Sequence, residues 1–336
     1  TNPTLLAQRA NQRALDETVP QARAGLRPNV DAGLNLSYSR TDSKGGAAID
    51  VNGDGIPDDF GGGVTETDSA SASINLSQII YSGGRIGNAI TAAEANVLAG
   101  RENLRQVEQQ ILASVIQAYV DVQRDMEILR IRQENITVLR RQLDESNARF
   151  EVGEITRTDV AQSEARLAQS ESDLANAQAQ LSVSRAAYAA VVGQAPTDMV
   201  SPLLPEVPTY FDVALDIGLL ENPAVLAAEY SLSAAEARVA AARSEYLPSA
   251  SLNASYGGRD EISSFDLTQR TSFNAGATIS VPLFTGGLNS SRVAQAREQA
   301  SAAQITVEGE KRTVLQNVST AYSQVISSAA TLRAGN

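Results

Sequence analysis

The 336 residues carry a formal charge of -12, with no Cys, His or Trp and only 4% aromatic residues. Without thiol or imidazole, a zinc enzyme, a thiol enzyme and a His-based triad are excluded, and an acidic chain lacking clustered Lys and Arg is a poor match for a phosphate backbone, so no nucleic-acid partner is expected. No run of about 18 apolar residues exists, which excludes a transmembrane helix but not a β-barrel, whose strands alternate apolar and polar residues.

Residues 2–25 read as helix, with Leu5, Leu6, Ala10 and Leu15 as apolar positions, and Arg27-Pro28 breaks it. From Val30 the period changes to two. Val30, Ala32, Leu34, Leu36 and Tyr38 face one way; Asp31, Gly33, Asn35, Ser37 and Ser39 face the other. A Gly- and Asp-rich loop then runs over 40–68, too long for a tight hairpin. Within it, Asp50, Asn52, Asp54, Ile56 and Asp58 fall at positions 1, 3, 5, 7 and 9 of a calcium loop, with Gly55 at position 6. Gly61 stands where an EF-hand has its bidentate Glu, so the match is to shorter calcium loops; an acidic surface loop whose Gly and Asp make turns is the competing explanation.

A second strand is expected over 69–81, where Ala70, Ala72, Ile74 and Leu76 alternate with Ser71, Ser73 and Asn75, and Ser82-Gly83-Gly84 ends it. From Arg85 a helical period continues to Phe150 without a proline. At 1.5 Å per residue this helix reaches about 100 Å. Val115, Val122, Leu129, Ile136 and Leu143 fall seven apart along it, and Val160, Leu167, Leu174, Leu181 and Tyr188 do so after a reversal at 150–159, which is a coiled-coil seam running to a turn and back. The carboxylates Glu108, Asp121, Asp125 and Asp144 are spaced like solubilising or interhelical charges. Gly193 ends the return helix, and Pro196, Pro202, Pro205 and Pro208 mark an irregular connector.

The pattern then restarts. Asn222-Pro223 repeats Asn2-Pro3, Tyr246-Leu247-Pro248-Ser249 repeats 26–29, and Leu252, Ala254 and Tyr256 alternate like the first strand. Phe273, Ala275, Ala277, Ile279, Val281 and Leu283 form an expected fourth strand, while Gly286-Gly287 and Ala321-Tyr322 match Gly83-Gly84 and Ala118-Tyr119 at one offset of 203 (286 − 83). About 60 residues, comprising a second tip and return helix, have no counterpart, so the second long helix is expected to be truncated.

Asn2-Pro3, Pro28 before the first strand, the Tyr81-Ser82-Gly83-Gly84 and Phe284-Thr285-Gly286-Gly287 junctions, Ala118-Tyr119, and Arg149-Phe150 and Val152-Gly153 followed by Asp159-Val160 together resemble the TolC family of outer-membrane export ducts. The likeness covers essentially the whole chain, and 152–160 is closer to the type I secretion branch than to the drug-efflux branch. The resemblance implies an α+β membrane protein, not an enzyme. It would be a homotrimer whose four strands per chain make a twelve-stranded β-barrel in the outer membrane of a Gram-negative bacterium, continued by a long α-helical coiled-coil barrel in the periplasm. Such a duct conducts substrates passively from an inner-membrane ABC or proton-driven transporter and a periplasmic adaptor, or membrane fusion protein, to the exterior. Elementary physics agrees: four strands cannot close alone, lipid does not tolerate an open edge, and a barrel of eight strands is filled by its own side chains. The polar residues Asn35, Ser37, Ser73, Asn75, Asn253, Ser255, Asn274 and Thr278 would then line water.

On this likeness residues 1–29 and 222–247 belong to the helical barrel, 30–82 and 248–285 to the β-barrel with an extracellular loop over 40–68, 83–192 to a long hairpin, 193–221 to an equatorial connector and 286–336 to the start of the second long helix. Val152, Gly153 and Glu154 match the tip that docks the adaptor, although Gly153 also supplies the turn. Asp159 matches a carboxylate that holds the periplasmic aperture shut, although an acid in the first turn of a helix is favoured by the dipole in any case. No cofactor is required, with Ca2+ a candidate ligand of the loop. A periplasmic coiled-coil scaffold or adaptor and a calcium-binding surface protein are the competing functions; the first leaves the two-faced strands unexplained, the second the long helices.

Overall fold

The computed structural model describes residues 2–43, 63–197, 199–200, 207–261 and 270–335. They form two compact units, one of Thr1–Leu15, Val97–Tyr230 and Thr306–Asn336, the other of Asp16–Asn96 and Ser231–Ile305. Among the described residues no helix is long and apolar enough to cross a membrane.

The second unit holds the sheet, made of β1 (Asn29–Ser43), β2 (Gly63–Tyr81), β3 (Ser249–Asp260) and β4 (Thr271–Ser280) in sequential antiparallel order. The expected loop over 40–68 is shorter than its composition suggests: residues 38–43 pair with residues 63–68, Arg40 opposite Glu66 with an ion pair at 3.3 Å. The fourth strand, expected to reach Leu283, ends at Ser280, because Pro282 has no N–H to give a ladder and holds Val281 away from regular pairing. Helical shoulders flank the strands. The expected single helix over 2–25 is two, α1 (Pro3–Asp16) and α2 (Thr18–Ala24), since Pro20 removes the donor that would reach the Asp16 carbonyl.

The other long elements are α3 (Arg85–Glu151), α4 (Arg157–Val192), α5 (Phe211–Glu221), α6 (Pro223–Ser244) and α7 (Leu288–Gly335). The helix α5 lies inside the stretch expected to be an irregular connector; its Val213, Ile217 and Leu220 carry a helical spacing that the surrounding prolines overshadow. Small residues dominate the helical contacts. Gly100 marks such a place in the first unit: a Cβ there would lie 2.4 Å from Leu15 Cδ2 and 2.5 Å from Gln12 Oε1, so α1 and α3 touch only because the side chain is absent.

The duplication is visible in the backbone. Gly83 and Gly84 have φ of 61° and 88°, and Gly286 and Gly287 have 61° and 85°. Asn2 and Asn222 cap their helices alike, each Oδ1 accepting from the N–H two residues on at 2.9 Å. Tyr119 and Tyr322, also 203 apart, each donate a hydroxyl to a connector carbonyl, to Val200 at 2.5 Å and to Thr209 at 2.8 Å.

Candidate functional site

The tip of the α3–α4 hairpin is built from its backbone hydrogen bonds. At the end of α3 the Gly153 N–H reaches the Phe150 carbonyl at 3.0 Å and the Glu154 N–H reaches that of Arg149 at 2.9 Å, the paired bonds of a Schellman motif. The motif needs a left-handed residue, and Gly153 supplies it at φ 81°. A hydrophobic contact commonly spans the ends of this motif; here Arg149 and Glu154 form an ion pair at 3.5 Å instead, with Glu145 on the other side of the guanidinium at 3.6 Å. Val152 is left 73% exposed, and nothing lies within 4 Å of a Cβ placed at Gly153. The three expected tip residues therefore stand together on a defined, open reversal.

Asp159 sits in the first turn of α4. Its Oδ2 accepts from both the N–H and the hydroxyl of Thr156 at 2.8 Å, the reciprocal half of a capping box. The Thr156 backbone N–H first, and its hydroxyl second, hold the carboxyl below the ordinary carboxylate range. The expected gating residue is thus also the residue that starts the return helix.

Behind the tip the two helices meet along the expected seam, with Val122, Ile136, Val160 and Leu181 buried. Three residues on from Val160, Leu167, Leu174 and Leu181 of α4 stands a small residue, Ser163, Ser170, Ala177 and Ser184, and this second line lets α3 approach closely. Ser163 meets Ser146 at 3.1 Å, and Ser170 accepts from Asn135 at 3.1 Å. Arg132–Asp173 at 3.3 Å and Arg140–Glu171 at 3.1 Å flank it. Glu108 and Asp121 behave as the spacing suggests, paired with Arg9 and Arg124 at 2.8 Å. Asp125 does not: it is 2% exposed, its Oδ1 held by Arg124 and its Oδ2 without a hydrogen bond. Asp125 stands three residues on from Val122, so the heptad itself sets it on the inner line, and the reading of it as a solubilising or interhelical charge misses its burial.

The sheet is the second candidate surface. Its register sets Ala32, Ile74, Tyr256 and Phe273 in one row across all four strands, and Val30, Leu76, Ala254 and Ala275 in another. The alternate rows are Asp31, Asn75, Ser255 and Asn274, and Gly33, Ser73, Gly257 and Ser272. Across these rows one face is apolar and the other polar. The apolar face is open, with Leu34, Tyr38, Phe273 and Ile279 at 57% exposure or more. The candidate calcium residues Asp50, Asn52, Asp54, Ile56 and Asp58 lie outside the described residues, and among the described residues no cluster of acidic side chains could hold a metal ion.

The family described as "Outer membrane efflux protein" matches residues 1–194 and 215–336. Over 99% of its length the chain is 32% identical to outer membrane efflux protein BepC of Brucella suis biovar 1, spanning 69% of that protein. It is 26% identical to outer membrane protein TolC of Vibrio cholerae, covering 99% of this chain and 74% of the other. Among solved structures, CusC, described for its folding and transmembrane channel formation, superposes with a TM-score of 0.82 at 20% identity, covering 99% of this chain and 75% of that one.

Proposed function

The chain belongs to the outer membrane efflux protein family and serves as an outer-membrane exit duct; we propose that three copies close one duct, with an adaptor docked on the hairpin tips. The observation that carries this is the two-faced sheet with unpaired strands at both ends, β1 and β4. An apolar face suits lipid, but lipid accepts a sheet only when every backbone group is paired. Twelve strands enclose water against the Asn and Ser rows, whereas eight leave an interior filled by side chains. The helices support the same closure. Leu112, Ile116, Ile131 and Val138 on α3 remain more than half exposed in one chain, a stripe suited to neighbouring helices.

Val152, Gly153 and Glu154 form the proposed adaptor contact, a rigid protruding turn with an apolar apex. Asp159 is the proposed aperture residue, and a bridge to another hairpin would use Oδ1, the oxygen that the Thr156 cap leaves. The duct is passive: it offers a conduit, and an inner-membrane ABC or proton-driven transporter supplies the energy, for a type I secreted protein or for small toxic compounds. Reconstitution into a planar lipid bilayer tests the reading. Discrete ion-conducting channels from detergent-extracted trimers are expected; a monomer that extracts into buffer without detergent and conducts nothing would overturn it.

A further inference from the structure

We propose that neighbouring copies join through a β4-to-β1 pairing whose register the internal duplication fixes: Thr278 of one copy opposite Asn35 of the next, Ile279 opposite Leu34, and Phe284 opposite Val30. This rests on the closed oligomer proposed above and adds which atoms close it.

The argument begins with the two hairpins. Val30 pairs with Leu76 and Ala250 with Ile279; Asn35 pairs with Ser71 and Ser255 with Asn274. First-strand residues thus recur 220 positions on (250 − 30) and second-strand residues 203 on (279 − 76), and the two registers coincide. The mapping holds into the shoulders. Gly25 lies against Ile86, 3.5 Å from its Cβ position to Cγ2, and their counterparts Glu245 and Asn289 also touch, Asn289 Nδ2 donating to the Glu245 carbonyl at 2.9 Å.

The joint between one repeat and the next occurs once in the chain, where β2 meets β3 with Asn75 opposite Ser255, Leu76 opposite Ala254 and Tyr81 opposite Ala250. Its shoulder is tight. A Cβ on Gly83 would lie 2.6 Å from Leu247 Cβ and 2.9 Å from the Ser244 carbonyl, and Asn88 Nδ2 donates to Ser244 Oγ at 3.4 Å. The return joint, from the second repeat to the first, has no partner among the described residues of one chain: β1 and β4 are the sheet's ends. Gly286 has the φ of Gly83, yet nothing lies within 4 Å of its Cβ position.

Carrying the β2–β3 joint across by the two offsets supplies that partner. Asn75 and Ser255 become Thr278 and Asn35; Leu76 and Ala254 become Ile279 and Leu34; Gly83 against Ser244 and Leu247 becomes Gly286 against Ala24 and Arg27 of the next copy. Three features agree. Over 274–281 the transferred pairs keep polar beside polar and apolar beside apolar, whereas a slip of one residue would turn the β1 side chains to the wrong face. Leu283 and Phe284, 93% and 88% exposed, are the counterparts of Ile80 and Tyr81, which the filled joint leaves at 57% and 51%, so pairing with the next copy lowers their exposure. The β2–β3 register shift between Ile79 and Tyr81 falls on Pro282 to Phe284, and a bulge is where a strand accommodates proline.

A chain without cysteine permits a direct test. The double variant T278C/N35C in the full-length protein, oxidised in outer membranes, is expected to give covalent dimers and trimers, at roughly tenfold the yield of T278C/S37C or T278C/G33C, whose diagonal Cα separations of about 7–8 Å approach or exceed the reach of a disulfide. Maximal bridging at position 33 or 37, in detergent particles that keep a trimer's mass, would overturn the register while leaving the trimer. Particles of monomer mass would overturn both.

Discussion

Replacing Gly153 separates backbone geometry from bulk at the tip. Because nothing lies within 4 Å of a Cβ at this position, any added side chain meets open space, and the cost comes from φ 81° alone. For alanine that cost is about 1–2 kcal/mol; asparagine, which tolerates the left-handed region, loses less, and a β-branched valine loses more. Opposing it are the two Schellman hydrogen bonds from Gly153 and Glu154, worth together about 1–3 kcal/mol. The balance is close, so export in a strain lacking its own duct should fall in the order Gly153→Asn, Gly153→Ala, Gly153→Val, with valine near background. Trimer yield on mild gels should not change, since the tip lies in open space. Wild-type export by Gly153→Val would refute the docking role of this turn, and equal loss in all three variants would assign the effect to side-chain bulk rather than to φ.

Other expectations follow from the same structure. Asp159→Ala should raise single-channel conductance in the full-length protein; unchanged conductance would leave the residue as a helix cap alone. The Thr156 bonds depress the Asp159 carboxyl, so its contribution to the cap is fully present above the ordinary carboxylate range and is lost as pH falls through the lowered value. Amide exchange at 156–160, corrected for intrinsic rate, should accordingly be faster near pH 3 than near pH 6. Tyr119 both donates to and accepts from Val200, at 2.5 and 2.9 Å, whereas one bond is described from the Tyr322 hydroxyl. Tyr119→Phe should therefore loosen residues 199–200 by about 1–2 kcal/mol and Tyr322→Phe residue 209 by about half that, read by hydrogen exchange. Val122 is fully buried in the seam, so Val122→Ala should destabilise the hairpin by about 2 kcal/mol, lowering the temperature at which proteolysis cuts α3.

What the sequence determined alone is whatever repeats with the period of a single element. The alternation at Val30–Tyr38 gave two-faced strands, the sevenfold spacing of Val115 to Leu143 gave a seam, and the positions of Gly153 and Gly193 gave the ends of the long helices. The paired glycines at Gly83-Gly84 and Gly286-Gly287 announced the duplication, because few other residues adopt the required backbone. Features that depend on which element lies opposite were decided by the tertiary structure. Gly100 reads as a weak point in a helix until Leu15 and Gln12 occupy its missing side chain. Register belongs to the same class: alternation gives each strand two faces, but only the pairing of Ile74 with both Ala32 and Tyr256 puts the apolar faces on one side, since a one-residue slip costs nothing in the pattern of a lone strand and reverses every side chain in the sheet.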